Sequence, residues 1–244
     1  MAIEKLESAD VILEVGTNNG IWALEMANAY PNSKVIGMDP RSVSSLSSVP
    51  SNVEYVQTNL FQPWPMATNS VDLVFQRGLG AWVTKEQMQH LIKEAIRVVK
   101  PGGYIEWVEA EAGHQRPGPI QSAFDQFMEQ EYQTKGMDFN HTQSFDTMIL
   151  DLAQEQSIQL ELEDHATYDI PLGEWPEDAQ GKQLGFINQG IQKASYRNRK
   201  SYYAHIWSMS SQDYDVAMQA LLDEFDEFKS YSRFHCWQAK KPVA

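Results

Sequence analysis

Val11-Ile12-Leu13-Glu14-Val15-Gly16-Thr17-Asn18-Asn19-Gly20 is the stretch that decides the fold of this 244-residue chain. Val11–Val15 reads as a short buried strand that ends in a turn of small residues. From Asn19 to Tyr30, Ile21, Trp22, Leu24, Met26 and Ala29 recur at helical spacing, and Pro31 stops the helix. Glycines in such a turn let the backbone approach a ligand closely. The free N–H groups that open the helix can bind a carboxylate. Glu14 sets a negative charge beside this loop, which suits a cationic amino group and repels a pyrophosphate.

Working outward, Lys34–Met38 reads as a second buried strand with Asp39 at its carboxyl end. Ser42–Ser51 is a Ser- and Pro-containing loop, Val53–Gln57 a third strand and Val71–Phe75 a fourth. Glu86–Val99 is an amphipathic helix stopped by Lys100-Pro101-Gly102-Gly103, and Tyr104–Val108 is a fifth strand. Strands that alternate with helices predict an α/β fold whose mostly parallel sheet is covered on both faces. Such sheets bind ligands at the carboxyl ends of their strands, where strand order reverses.

The second half is less regular. Ile120–Tyr132 and Phe145–Gln154 read as helices, and Ile158–Asp169 alternates like a half-exposed strand. Leu172–Glu177 is a turn, 183–206 and 212–229 are two helices, and Arg233–Lys240 is a last strand at or near an edge.

Three polar residues fall where a ligand is expected. Glu14 ends the first strand. Asp39 lies at the end of the second, where an acid can accept from both hydroxyls of a ribose. Asn59 follows the third, where its carboxamide can accept from an adenine amino group while the Leu60 N–H donates to a ring nitrogen. Phe61 and Met38 either cover the adenine or belong to the core.

Five motifs in order resemble the class I S-adenosylmethionine (SAM)-dependent methyltransferases. They are Leu13-Glu14-Val15-Gly16, Val35-Ile36-Gly37-Met38-Asp39, Asn52-Val53-Glu54-Tyr55 through Asn59, Val71-Asp72-Leu73-Val74-Phe75, and Val98-Val99-Lys100-Pro101-Gly102-Gly103-Tyr104. More narrowly, the chain is similar to the fungal LaeA-like methyltransferases. Gly20-Ile21-Trp22-Ala23-Leu24-Glu25-Met26-Ala27, Pro63-Trp64, Phe75-Gln76-Arg77 and Ile170-Pro171-Leu172-Gly173-Glu174-Trp175-Pro176 carry that likeness. The resemblance implies a Rossmann-like, seven-stranded, mostly parallel sheet with helices on both faces and a helical insertion near the C-terminus. It implies one methyltransferase domain over 1–244, with 1–115 holding SAM and 116–244 supplying acceptor-side helices and the last two strands. It places SAM contacts at Glu14, Gly16, Thr17, Asn18, Gly20, Asp39, Pro40, Asn59, Leu60 and Gln76, and at the turn that continues into Arg77.

Two features depart from the family. Its central turn glycine is Asn18 here. Asn tolerates left-handed backbone angles, so the turn can form, while its side chain crowds or contacts the methionine part of SAM and alters binding. Relatives also carry extra helices before the first strand, whereas about ten residues precede it here. Either another segment serves as lid, or the site is open, or the chain is a piece of a longer protein.

For the chemistry, the candidates after the fourth and fifth strands are Arg77, Trp82, Glu109 and His114. His114 either deprotonates an acceptor hydroxyl or is a loop histidine. Glu109 either binds a cationic acceptor or forms a surface pair. Arg77 either binds an acceptor carboxylate or pairs with a nearby acid. Trp175, Tyr196, Tyr202, Tyr203, His205 and Trp207 either line an apolar acceptor pocket or fill the core.

Composition narrows the classes. The net charge is −14, so a nucleic acid substrate is disfavoured, and Lys193, Arg197, Arg199 and Lys200 form one local basic patch, read as a solvated helix face. No apolar run approaches a membrane span, no signal peptide is evident, and no metal site is expected. A single cysteine, Cys236, points to a reducing cytoplasmic or nuclear compartment. The sequence therefore reads as a SAM-dependent enzyme that methylates a small-molecule acceptor, an oxygen nucleophile of specialised metabolism. The alternative is a regulator that keeps the fold and acts through protein partners. A third reading is non-methylating chemistry or protein methylation. Glu14 and the glycine spacing oppose a nicotinamide dehydrogenase.

Overall fold

A computed structural model describes residues 2–6, 8–43 and 49–243. Residues 44–48 of the loop expected over Ser42–Ser51 lie outside them. Among the described residues, seven strands form one sheet: β1 (Val11–Val15), β2 (Lys34–Asp39), β3 (Val53–Gln57), β4 (Val71–Arg77), β5 (Val99–Ala110), β6 (Glu161–Pro171) and β7 (Tyr231–Lys240), in the order β3-β2-β1-β4-β5-β7-β6. β1 to β5 pair in parallel. β7 runs antiparallel beside β5, with Gly102 N–H donating to Lys241 O and Lys241 N–H to Gly103 O. Strand order reverses at β1, with β2 on one side and β4 on the other, so the ends of these strands open onto the switch point. The fold class is the expected one, and the last strand lies one in from the edge formed by β6.

The chain clusters into two compact units, residues 1–109, 141–166 and 235–244 in the first and 110–140 and 167–234 in the second. In the first, strand residues alternate between two cores, as a period of two requires. Leu13, Val15, Ile36, Met38, Val74, Ile105 and Trp107 pack with the buried stripes of α2 (Lys85–Val98) and α4 (Phe145–Glu155). Ile12, Val35, Leu73, Phe75 and Tyr104 pack with Trp22, Ala23, Met26 and Ala27 of α1 (Ile21–Ala29). Thr84 opens α2 with a capping box: its hydroxyl accepts from Gln87 N–H, and the Gln87 side chain accepts from Thr84 N–H. The ammonium of Lys241 donates to Ile96 O, Val99 O and Asn69 Oδ1, and so satisfies carbonyls that α2 leaves open at its end.

The second unit holds α3 (Pro119–Thr134), α5 (Ala179–Asn198), α6 (Lys200–Ile206) and α7 (Ser211–Glu227). Phe124, Leu172, Tyr196, Tyr203, Tyr214, Leu221 and Phe225 form its core. The helix expected over 183–206 is two helices, because Arg199 leaves helical angles (φ −104°, ψ 4°) between α5 and α6.

Candidate active site

A cavity of about 610 Å³ lies where the carboxyl ends of β1, β2 and β4 meet. Its walls include Glu14, Gly16, Thr17, Asn18, Asp39 and Leu60. This volume falls within the range of small-molecule and cofactor sites. The turn after β1 is built on positive φ at Gly16 (74°), Asn18 (53°) and Gly20 (76°). Asn18 therefore adopts the left-handed angles expected of it. A Cβ at Gly16 would stand 2.8 Å from Leu79 Cδ2, and one at Gly20 would stand 2.7 Å from the Tyr55 ring, so a side chain at either position must displace its neighbour as well as adopt a strained angle.

Two carboxylates face this cavity. Glu14 accepts from the Thr17 hydroxyl at 2.5 Å. Burial pushes its carboxyl up to about 7, against the opposing effects of the Thr17 hydrogen bond and the Arg77 charge. Asp39 accepts from Asn18 N–H at 2.9 Å through Oδ2, and from Arg41 N–H at 2.9 Å and Arg41 Nε at 3.2 Å through Oδ1. Arg41 Nη2 also donates to Asn18 Oδ1 at 3.1 Å. Asn18 is thus joined to Asp39 by its backbone and to Arg41 by its carboxamide.

The other expected residues divide. Thr17, Pro40 and Arg77 line the cavity with Glu14 and Asp39. Asn59 is not among the lining residues; its carboxamide oxygen accepts from Phe61 N–H at 2.9 Å, shaping the turn that presents Leu60. Gly20 lies behind the wall, where its carbonyl accepts from the Tyr55 hydroxyl at 2.7 Å. Gln76 is buried and donates towards Glu109 Oε1 at 3.4 Å.

Glu109 is neither surface-paired nor open to an acceptor. It is 1% exposed and accepts from Leu79 N–H at 3.1 Å and Gly80 N–H at 2.9 Å. Burial pushes its carboxyl up to about 7 despite these donors. The short 3₁₀ turn Gly80–Trp82 thereby hangs from a buried carboxylate, and Leu79, Trp82 and Val83 beside it form one wall of the cavity. His141 sits 3.9 Å from Glu109, and both side chains crowd the Cα of Gly80 from the same side. His114 belongs to the second unit. Its Nδ1 meets Asp125 Oδ1 at 2.7 Å and its Nε2 meets the Tyr196 hydroxyl at 3.1 Å, a satisfied histidine within an aromatic core. Tyr196 and Tyr203 are buried in that core as well.

Sequence reasoning passed over Arg41, Leu79 and Val83 as wall residues. The first carries a signal, since an arginine two residues after a strand-end acid can reach back to it. The other two carry none, because their place depends on the Glu109 anchor.

Residues 12–103 match the methyltransferase-domain family. The chain is 27% identical to the secondary metabolism regulator laeA of Aspergillus flavus, over 95% of this chain and 63% of that protein. It is 25% identical to the protein-methionine methyltransferase laeA of Emericella nidulans, over 95% of this chain and 62% of that protein. The chain thus spans about three-fifths of the length of these curated relatives. Its fold is similar to that of Haemonchus contortus phosphoethanolamine N-methyltransferase 2 solved with SAM, with a TM-score of 0.57 and 14% identity, covering 98% of this chain and 50% of that one. The family match, the strand order and the motif series agree: residues 12–103 belong to the methyltransferase-domain family, and the sheet built around them has the strand order expected of its class I members.

Proposed function

We propose that this chain transfers a methyl group from SAM to an oxygen nucleophile on a small molecule of specialised metabolism, with the whole chain serving as one methyltransferase domain. The observation that carries the reading is that Glu14 and Asp39, at the tips of neighbouring parallel strands, line one cavity with the Gly16–Asn18 turn. A cation and a diol are the groups these carboxylates suit, and SAM bears both. The residues present fit the cofactor: acids for the amino group and the ribose, small residues at the turn, and apolar Leu60 and Phe61 beside the Asp39 end.

When bound, SAM would supply a methyl carbon already activated by its sulfonium. The protein's part is to bind, orient and exclude water. In this reading Glu14 binds the amino group, and the turn Gly16-Thr17-Asn18 with Gly20 accommodates the methionine part. Asp39 accepts from the ribose hydroxyls, Pro40 borders that end, and Leu60 N–H, set by Asn59, reads the base. Gln76 steadies the turn into Arg77, which orients an acidic acceptor from the cavity wall. Leu79, Trp82 and Val83 keep water from the reacting atoms. Glu109 acts through the backbone of this wall, as a positioning residue. His114 is the sequence's candidate base, and a His114→Gln variant that keeps full turnover would remove it from that role.

Calorimetry with SAM and with NAD tests the cofactor class: SAM is expected to bind and NAD is not. Turnover is then sought on a panel of small phenols and alcohols with labelled SAM. A second reading has its own support, because the Aspergillus flavus laeA relative that aligns over 95% of this chain is named for regulation. SAM binding without turnover on any metabolite would favour that regulator, acting through protein partners.

A further inference from the structure

The basic patch of the sequence, Lys193, Arg197, Arg199 and Lys200, lies in the second unit, at the end of α5 and the start of α6. Residues 110–140 and 167–234 hold nine Lys and Arg against fifteen Asp and Glu, and four of the nine fall in this patch. Two of the four are already engaged. Lys200 pairs with Asp215 at 2.6 Å, and Arg199 Nη1 donates to the Tyr203 hydroxyl at 3.3 Å. Lys193 and Arg197 are exposed and meet no carboxylate among the described residues. They stand four residues apart on one face of α5, where like charges disfavour a helix.

Both cations border a cleft of about 350 Å³ between α5 and α7, a volume at the small end of ligand sites. Its floor is apolar. Met218 and Leu222 line it and are 9% and 7% exposed. Tyr196 and Tyr214 line it too, with their hydroxyls engaged in the core: the first meets His114 Nε2 at 3.1 Å, and the second donates to Tyr196 O at 2.9 Å. Gly190 forms part of the lip. Glycine is unfavourable in a helix interior. The two earlier glycines of α5 are accounted for by crowding: a Cβ at Gly181 would meet Pro176 and Asp178, and one at Gly185 would strike Gly173 O. At Gly190 a Cβ would meet nothing within 4 Å, so no described neighbour requires the glycine. Its missing side chain leaves open a path along α5 from the cations to Phe186 and Ile187, which are 62% and 49% exposed. At helical spacing these residues share one face, which runs from apolar to cationic over about 10–15 Å.

We infer that the cleft between α5 and α7 binds a small amphipathic carboxylate, with its head on Lys193 and Arg197 and its hydrocarbon body over Met218, Leu222 and Gly190 towards Phe186 and Ile187. Three features select this class. The two unpaired cations complement an anionic head, and a guanidinium takes a carboxylate through two parallel hydrogen bonds. The buried floor offers no free hydroxyl to a sugar or a nucleoside, and its ring and thioether surface suits hydrocarbon. The apolar part of the face continues the cleft in one direction only, so the ligand has one polar end and a body of medium chain length. Two cations isolated among fifteen acids can neutralise one head group, but they oppose neither a polyanion nor an anionic bilayer with enough charge. The site lies wholly within the second unit and does not depend on the methyl-transfer reading.

Titration of the whole chain with decanoate, followed by NMR of isotope-labelled methionine methyl groups, tests this. Decanoate is expected to shift the Met218 methyl with a Kd on the order of 0.1–1 mM, as an open cleft and a small ligand dictate. Acetate, which lacks the body, and decyltrimethylammonium, which reverses the head, should each bind at least tenfold more weakly. Lys193→Gln with Arg197→Gln should weaken decanoate at least tenfold with unchanged far-UV circular dichroism, since both side chains are exposed. Gly190→Leu sets a side chain across the path. It should weaken decanoate similarly while raising the melting temperature, because leucine favours the helix, and so separates loss of the site from loss of the fold. No Met218 shift at millimolar decanoate, equal binding of decyltrimethylammonium, or decanoate binding that survives both sets of substitutions would overturn the inference. Binding to phosphatidylserine vesicles in the absence of decanoate binding would overturn it as well.

Discussion

The backbone N–H of Asn18 donates to Asp39 Oδ2 at 2.9 Å, which ties the turn after β1 to the end of β2 inside the cavity. This tie requires left-handed angles at Asn18, where φ is 53°. Asn18→Val should cost about 1–2 kcal/mol in chemical denaturation, because a β-branched side chain collides with its own backbone there. Asn18→Gly should keep the fold and the tie while releasing the carboxamide bond to Arg41. Calorimetry should then give a SAM Kd equal to or tighter than wild type. Weaker binding would mean that the carboxamide contributes directly.

Asp39→Ala removes the acceptor of Asn18 N–H as well as the group assigned to the ribose. The expected loss of SAM affinity is about 1–3 kcal/mol, or roughly 5- to 150-fold. Asp39→Asn should lose less, since it keeps one acceptor oxygen. An unchanged Kd in Asp39→Ala would remove this acid from the site.

Glu14 makes cofactor binding depend on pH. Its carboxyl is pushed up to about 7, and only the ionised form suits a cationic amino group. SAM affinity should therefore fall as pH drops from 8 to 6, with a limiting slope of about tenfold per unit below the pKa. Binding near pH 6.5 should release a proton, measurable as a buffer-dependent enthalpy. Stability runs the other way. A carboxyl raised from 4.5 in the folded state favours the fold in acid, and that contribution is lost as pH rises from 4.5 through about 7. Glu14→Gln should abolish both effects, which separates them from any titration of Glu109.

How much of this was legible in the sequence depended on where the determining partner lies. β1 and β3 end where the apolar runs and turn residues end, because local chemistry sets those boundaries. The start of β5 was hidden. Lys100-Pro101-Gly102-Gly103 reads as a stop, yet Val99 already pairs with Val71, and pairing to a neighbouring strand overrides local preference. The carboxylates at the strand ends could be placed because topology alone puts them there. Glu109 could not, because its partners are backbone N–H groups of a turn that carries no distinctive side chain. The break at Arg199 escaped for a similar reason, since nothing in its vicinity is a Gly or Pro.

The Gly80 and Glu109 contact should be the most sensitive point of the cavity wall. A Cβ at Gly80 would lie 2.3 Å from the His141 ring, so Gly80→Ala must displace the turn or the histidine. Glu109→Ala leaves the Leu79 and Gly80 N–H groups buried without acceptors, at about 1–3 kcal/mol each. Glu109→Gln keeps an acceptor and should cost clearly less. Urea denaturation would rank the three, and an Ala variant as stable as the Gln variant would show that the wall does not depend on this carboxylate.

Lys241 has a consequence for how the protein is made. Its ammonium occupies carbonyls at the end of α2, and its backbone zips β7 onto β5, about 140 residues further back along the chain. The cofactor half therefore cannot complete its sheet while it emerges from the ribosome. It must wait, with β5 unpaired on one side, until the tail arrives. Contacts of such long sequence separation slow folding and expose strand edges meanwhile. A fragment ending at residue 110 should consequently aggregate where the full chain stays dispersed.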